Sequence, residues 1–164
     1  MSKVSQVARQ FSKTLVVALL ILSTVGIALL VGCTTNGGGS TDNGSTSGNV
    51  TIKIDITAAV EAGDATAMSL ATRYGGNVFT CTVNVADNTT VLVATKAATV
   101  LTVSTVSSSY GDYVDSIDGL ASGAVNSTAG WTFDINGTAS QVGADVATVK
   151  TGDTITWTYV TVWQ

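Results

Sequence analysis

Apolar and polar residues alternate in several separate stretches of the chain. Val50, Ile52, Ile54 and Ile56 fall on one side of an extended segment, with Thr51, Lys53, Asp55 and Thr57 on the other, which predicts a half-buried strand. Phe79, Cys81, Val83 and Val85 repeat the pattern against Thr80, Thr82 and Asn84. Trp131, Phe133 and Ile135 repeat it again, followed by Asn136-Gly137, a dipeptide that suits a two-residue hairpin turn. Ile155, Trp157 and Tyr159 form the last alternating run, entered through a Lys150-Thr151-Gly152-Asp153 turn. Residues 113–120 read as a further strand closing at Asp118-Gly119, and residues 99–106, almost all Thr, Val and Ser, read as strand on propensity. Residues 58–74 are Ala-rich and interrupted by Gly63, which predicts a short helix or an irregular excursion. Residues 89–98 fit either a helix capped by Thr89 or Thr90 or a β-branched strand. The sum is a strand-rich α+β domain with one or two short helices.

The first 49 residues carry no such alternation. Residues 1–13 are polar and basic, and residues 15–31 are an uncharged apolar run. This is the layout of a secretory signal or a short membrane helix. Leu30-Val31-Gly32-Cys33 at its end resembles a bacterial lipobox, which predicts lipidation of Cys33 and cleavage before it. Either reading leaves the remainder outside the cytoplasmic membrane, because Lys3, Arg9 and Lys13 stay inside. The organisation expected is a signal peptide over 1–32, a lipidated Cys33 with a Gly/Ser/Thr-rich tether over 33–49, and a folded domain over 50–164. Residues 34–49 have the composition of a flexible linker, with a reach of about 20–25 Å.

Charge narrows the function classes. The 164 residues include 7 basic and 11 acidic ones, a net charge of −4. Three of the basic residues precede Cys33, so the processed chain would carry 4 basic and 11 acidic side chains, or −7. Such a surface repels phosphate backbones, which excludes nucleic acid as the expected partner. There is no His, Glu61 is the only Glu, and no Ser–Lys or Cys-based set stands in a catalytic context. Nucleophile activation therefore has no evident base, and no enzymatic activity is expected.

Several segments resemble one known family. Gly130-Trp131-Thr132-Phe133-Asp134-Ile135-Asn136-Gly137 is similar to its Gly-Trp-x-aromatic-x-Val-Asn-Gly core, and Val142-Gly143-Ala144-Asp145 to its Val-Gly-x-x-Asp turn. Residues 150–157 match its Lys-x-Gly-Asp-x-Ile-x-Trp ending. Thr90-Val91-Leu92 matches the start of its helix, and residues 113–120 match its Tyr-Ile-x-Ser-Ile-Asn-Gly-Leu strand. The family is the transcobalamin-like C-terminal domain of cobalamin carriers and bacterial surface proteins, and the resemblance spans residues 50–160. It implies a β-grasp-like sheet packed on a short helix and favours helix for residues 90–98. In the animal carriers the ligand lies between this domain and a larger helical barrel, which this chain lacks.

Four aromatics are the candidate binding residues. Trp131 and Phe133 share a strand face and suit either a sheet core or a flat wall for a corrin or another large ring. Tyr110 and Tyr113 flank a turn and suit a binding surface. Asn136, Gly137, Gly152 and Asp153 are expected to build turns. Asp112, Asp115 and Asp118 are close in sequence, but their spacing fits no calcium loop and favours solvated charge. Cys81 reads as a buried thiol beside Phe79 and Val83. No cofactor or metal is required by this reading. The expected protein is an extracytoplasmic lipoprotein anchored to the bacterial cell membrane. Its partner is a small molecule, with cobalamin or another corrinoid the first candidate. The alternative is a structural or adhesive surface module contacting proteins or cell-wall polymers. A concave apolar patch around Tyr113, Trp131 and Phe133 would favour capture; buried aromatics under a flat polar surface would favour adhesion.

Overall fold

The computed structural model describes residues 34–35 and 46–162. The segment expected as a signal peptide, Cys33 and most of the expected tether lie outside the described residues. The elements in chain order begin with β1 (Thr34–Thr35), β2 (Ser47–Asp55), α1 (Thr57–Glu61), α2 (Ala65–Tyr74) and β3 (Val78–Ala86). They continue with β4 (Thr89–Thr90), α3 (Val91–Ala97), β5 (Val103–Ser108), β6 (Gly111–Ile117) and β7 (Leu120–Ala121). The last are β8 (Gly130–Ile135), β9 (Thr138–Ala139), β10 (Thr148–Val149) and β11 (Thr154–Val160). The first long strand starts at Ser47, so Ser47, Gly48 and Asn49 extend the domain into the segment expected as tether.

The main sheet has the order β1-β3-β2-β11-β8-β9. At its centre β2 and β11 run parallel, with Ile52 opposite Ile155 and Ile54 opposite Trp157. Antiparallel β3 and β8 flank this pair. Alternation places Val50, Ile52, Ile54, Cys81, Val83, Ile155, Trp157 and Tyr159 on one buried face. The opposite face carries Thr51, Lys53, Asp55, Thr154, Thr156 and Thr158, all half-buried. Thr serves there because its branched carbon suits a pleated surface while its hydroxyl keeps water.

Helix α3 is tied to the buried face. Thr90 caps it by accepting from the Val93 N–H at 3.4 Å. The buried Thr95 hydroxyl donates to the Val91 carbonyl at 2.7 Å and accepts from the Trp157 indole N–H at 2.9 Å. One hydroxyl thus satisfies the single polar atom of a Trp that is otherwise sealed in the core. The helix implied by the resemblance is present, and strand propensity at Val91 and Val93 is overridden by burial and the cap.

A second, three-stranded sheet has the order β5-β6-β7. Its first strand begins at Val103 rather than at residue 99. The Leu101 N–H turns back to the Ala98 carbonyl (2.8 Å), and the Asp118 carboxylate takes the Thr102 N–H (2.7 Å). Both contacts hold residues 99–102 in a turn despite their β-branched composition. β7 lies over the end of the main sheet, held by two aromatic donors. Trp131 Nε1–H donates to the Leu120 carbonyl and the Tyr159 hydroxyl to the Ala121 carbonyl, each at 2.9 Å.

Candidate functional site

The buried face of the main sheet runs out at β8. Trp131 and Phe133 point to the core side, opposite Tyr159 and Trp157 in the ladder. Trp131 meets Tyr159 edge-on, with ring centroids 5.2 Å apart, and Phe133 meets Trp157 at 5.1 Å. Beyond them the cover thins, and a cavity of about 390 Å³ opens between β8, β6 and the loop at residues 143–144. Its walls include Tyr113, Trp131 and Phe133, so three of the four aromatics singled out from the sequence converge. Trp131 is 8 % exposed and Tyr113 49 %, so the first forms the floor and the second the mouth. Core and site are therefore two faces of the same Trp131 ring. Tyr110 is not on the wall; it stands at the tip of the β5–β6 hairpin, 96 % exposed.

The rest of the wall is small and neutral: Ser127, Thr128, Gly143 and Ala144 among others, with Trp157 behind. No Asp, Glu, Lys or Arg lines it. Residues 121–129, a run of small residues with no alternation, offer little to a search for binding side chains. The signal was that smallness itself, because a wall that must stand back from an aromatic floor cannot carry large side chains.

Asp145 sets the position of the far wall. Its Oδ2 accepts from the Asp112 N–H at 3.0 Å, which pins the turn end of the β5–β6 hairpin to the loop that carries Gly143 and Ala144. A Cβ at Gly111 or Gly143 would push this carboxylate aside, and Gly111 also sits at φ 106°, so glycine at these positions lets Asp145 keep its place. Asp145 Oδ1 is buried without a hydrogen-bond partner.

The other acids do not assemble a site. Asp118 accepts from the Tyr74 hydroxyl (2.5 Å) and the Thr102 N–H, and Asp112 accepts from the Ser107 hydroxyl (2.6 Å). Among the described residues no three metal-ligating side chains come together. Tyr74 is stacked on Phe79 at 4.0 Å, and burial, followed by the Asp118 contact, raises its pKa above 10.0. Burial also raises that of Tyr159.

The four turn residues form one knot. Asn136 and Gly137 have φ of 54° and 79°, the two positive values a type I′ turn needs. The Asn136 side chain donates to Asp153 and accepts from the Thr154 N–H, both at 2.8 Å. Asp153, 8 % exposed, also accepts from the Lys150 N–H at 2.9 Å. Gly152 adopts φ 91° between them. The knot joins the β8–β9 turn to the start of β11 and carries no ligand-facing group.

Residues 88–161 match the model of a domain of unknown function, DUF4430. No curated protein matches the chain. Among solved structures, the chain resembles haptocorrin in complex with Cbi, with a TM-score of 0.54 and 16 % identity over 73 % of this chain. The chain spans about a quarter (26 %) of haptocorrin's length. A protein from Ruminococcus gnavus, itself only proposed to bind metal, aligns over 71 % of this chain and 99 % of its own at 15 % identity, with a TM-score of 0.46. The haptocorrin likeness supports a transcobalamin-like α+β fold.

Proposed function

We propose that this domain is an extracytoplasmic binding module that captures an uncharged ligand in the cavity between β6 and β8, and that it is held at the bacterial membrane through a lipid on Cys33. The carrying observation is the cavity: concave, aromatic at its floor and mouth, and free of charged side chains. Its size is at the small end of ligand pockets. A corrinoid, the first candidate by resemblance and by the haptocorrin likeness, is larger than this space, so only an edge of it would enter. Apolar contact would drive such binding, because the chain has no His to coordinate cobalt. The concave aromatic patch favours capture over the adhesive alternative.

The test is titration of the full-length protein in detergent with cobinamide and cobalamin, followed by absorbance and calorimetry. Binding that weakens at least about tenfold in Tyr113→Ala, with the melting temperature unchanged, is the expected result. No heat and no spectral change at millimolar ligand would remove corrinoid capture. The anchor is checked by intact-mass analysis: a diacylated N-terminal Cys33 is expected, and a lipid-free N-terminus at another residue refutes it.

A further inference from the structure

β8 is paired on one side along its whole length and on the other along only part of it. The Asn136 N–H donates to the Thr154 carbonyl at 2.9 Å, and Ile135 lies opposite Ile155. Hydrogen-bonded pairs alternate in an antiparallel ladder. Residues 130, 132 and 134 therefore turn their backbone groups to β11, while Trp131, Phe133 and Ile135 turn theirs outward. β9 takes up Ile135, opposite Thr138, and the Phe133 carbonyl accepts from the Ser140 N–H at 3.3 Å.

There the chain leaves the edge. The Ser140 hydroxyl donates to the Val142 carbonyl at 2.9 Å and accepts from the Val142 N–H at 3.3 Å. This turn lifts the chain away before Val142 can come opposite Trp131. Gly143 and Ala144 then form the far wall of the cavity. Among the described residues no strand pairs with Gly130–Phe133 on this side, and the Trp131 N–H and C=O face the place where β9 would have continued. The gap has the line of a strand, an edge to pair with and an aromatic floor.

We infer that this gap accepts an extended, uncharged peptide that continues the line of β9 antiparallel to β8. It exchanges hydrogen bonds with the Trp131 N–H and C=O and sets one side chain into the cavity. Strand addition of this kind draws affinity from main-chain bonds and selectivity from the pocket under alternate side chains. The space of about 390 Å³ admits a side chain and excludes a helix. A charged side chain would give up water with no partner on the wall, so the peptide is neutral where it enters. The inference rests on the cavity being the binding site and names a ligand class for it.

The probe is a blocked pentapeptide of alternating valine and threonine, with a twin carrying N-methyl groups on its pairing amides. Hydrogen exchange at the Trp131 amide is followed by NMR in the full-length protein in detergent. The plain peptide is expected to slow that exchange at least about tenfold, and the methylated twin to leave it unchanged. No slowing at millimolar peptide overturns the inference, as does equal slowing by both peptides, which would mean contact without pairing. If cobinamide binds while the peptide does nothing, the cavity reading stands and the peptide is refuted; if neither binds, the peptide and corrinoid capture both fall.

Discussion

Asp153 illustrates how much one carboxylate can organise. It is almost buried, and its two oxygens are shared between the Asn136 amide and the Lys150 N–H. Replacing it by Ala strands both donors, so Asp153→Ala is expected to lower stability by about 2–3 kcal/mol, read from urea unfolding. Gly137→Val forces a β-branched residue to φ 79° and should cost more than ~1 kcal/mol in the same assay. An unchanged midpoint in either variant would contradict the knot. The hairpin dipeptide was legible because Asn-Gly states its own backbone geometry. The partnership of Asn136 with Asp153 was not, since two residues 17 apart meet only when β8 and β11 pair.

The elements were read best where one rule sufficed. β2, β3, β8 and β11 are single-sided strands, and period-2 alternation gives them away. β6 was harder because its register against β5 shifts between Ser104 and Thr105, leaving Asp115 as an extra residue. Val114 and Ile117, three apart, are both buried as a result, which strict alternation forbids. The aromatic wall of the cavity was legible, but its small-residue wall was not: it lies where a strand stops, and a sequence pattern records what continues. The helices have caps of unequal quality. Asp64 accepts from the Ala67 N–H at 2.8 Å, whereas the Thr90 contact is 3.4 Å long. Asp64→Ala should therefore cost about 1 kcal/mol and Thr90→Ala only a few tenths. Equal shifts of the urea midpoint would argue that the two caps are equivalent.

The whole molecule should be sensitive to alkali. Tyr74 and Tyr159 both have pKa values raised by burial, so the folded state holds their protons more tightly than the unfolded chain does. This stabilisation is complete below pH 10 and is lost as pH rises through the folded-state values. Thermal stability should fall above pH 10. The fall should be shallower in Tyr74→Phe, although that variant starts lower because the contacts to Val100 and Asp118 are gone. Identical slopes for the two proteins would show that Tyr74 is not one of the titrating groups. The parallel pairing of β2 with β11 has a mechanical consequence. The first long strand, β2, and the final strand, β11, lie side by side over five register pairs, Thr154–Thr51 to Thr158–Asp55. A pull between the two ends loads those bonds together in shear instead of unzipping them one by one. A domain pulled by its two ends would shed the two-residue β1–β3 pairing first and would then resist through its central ladder.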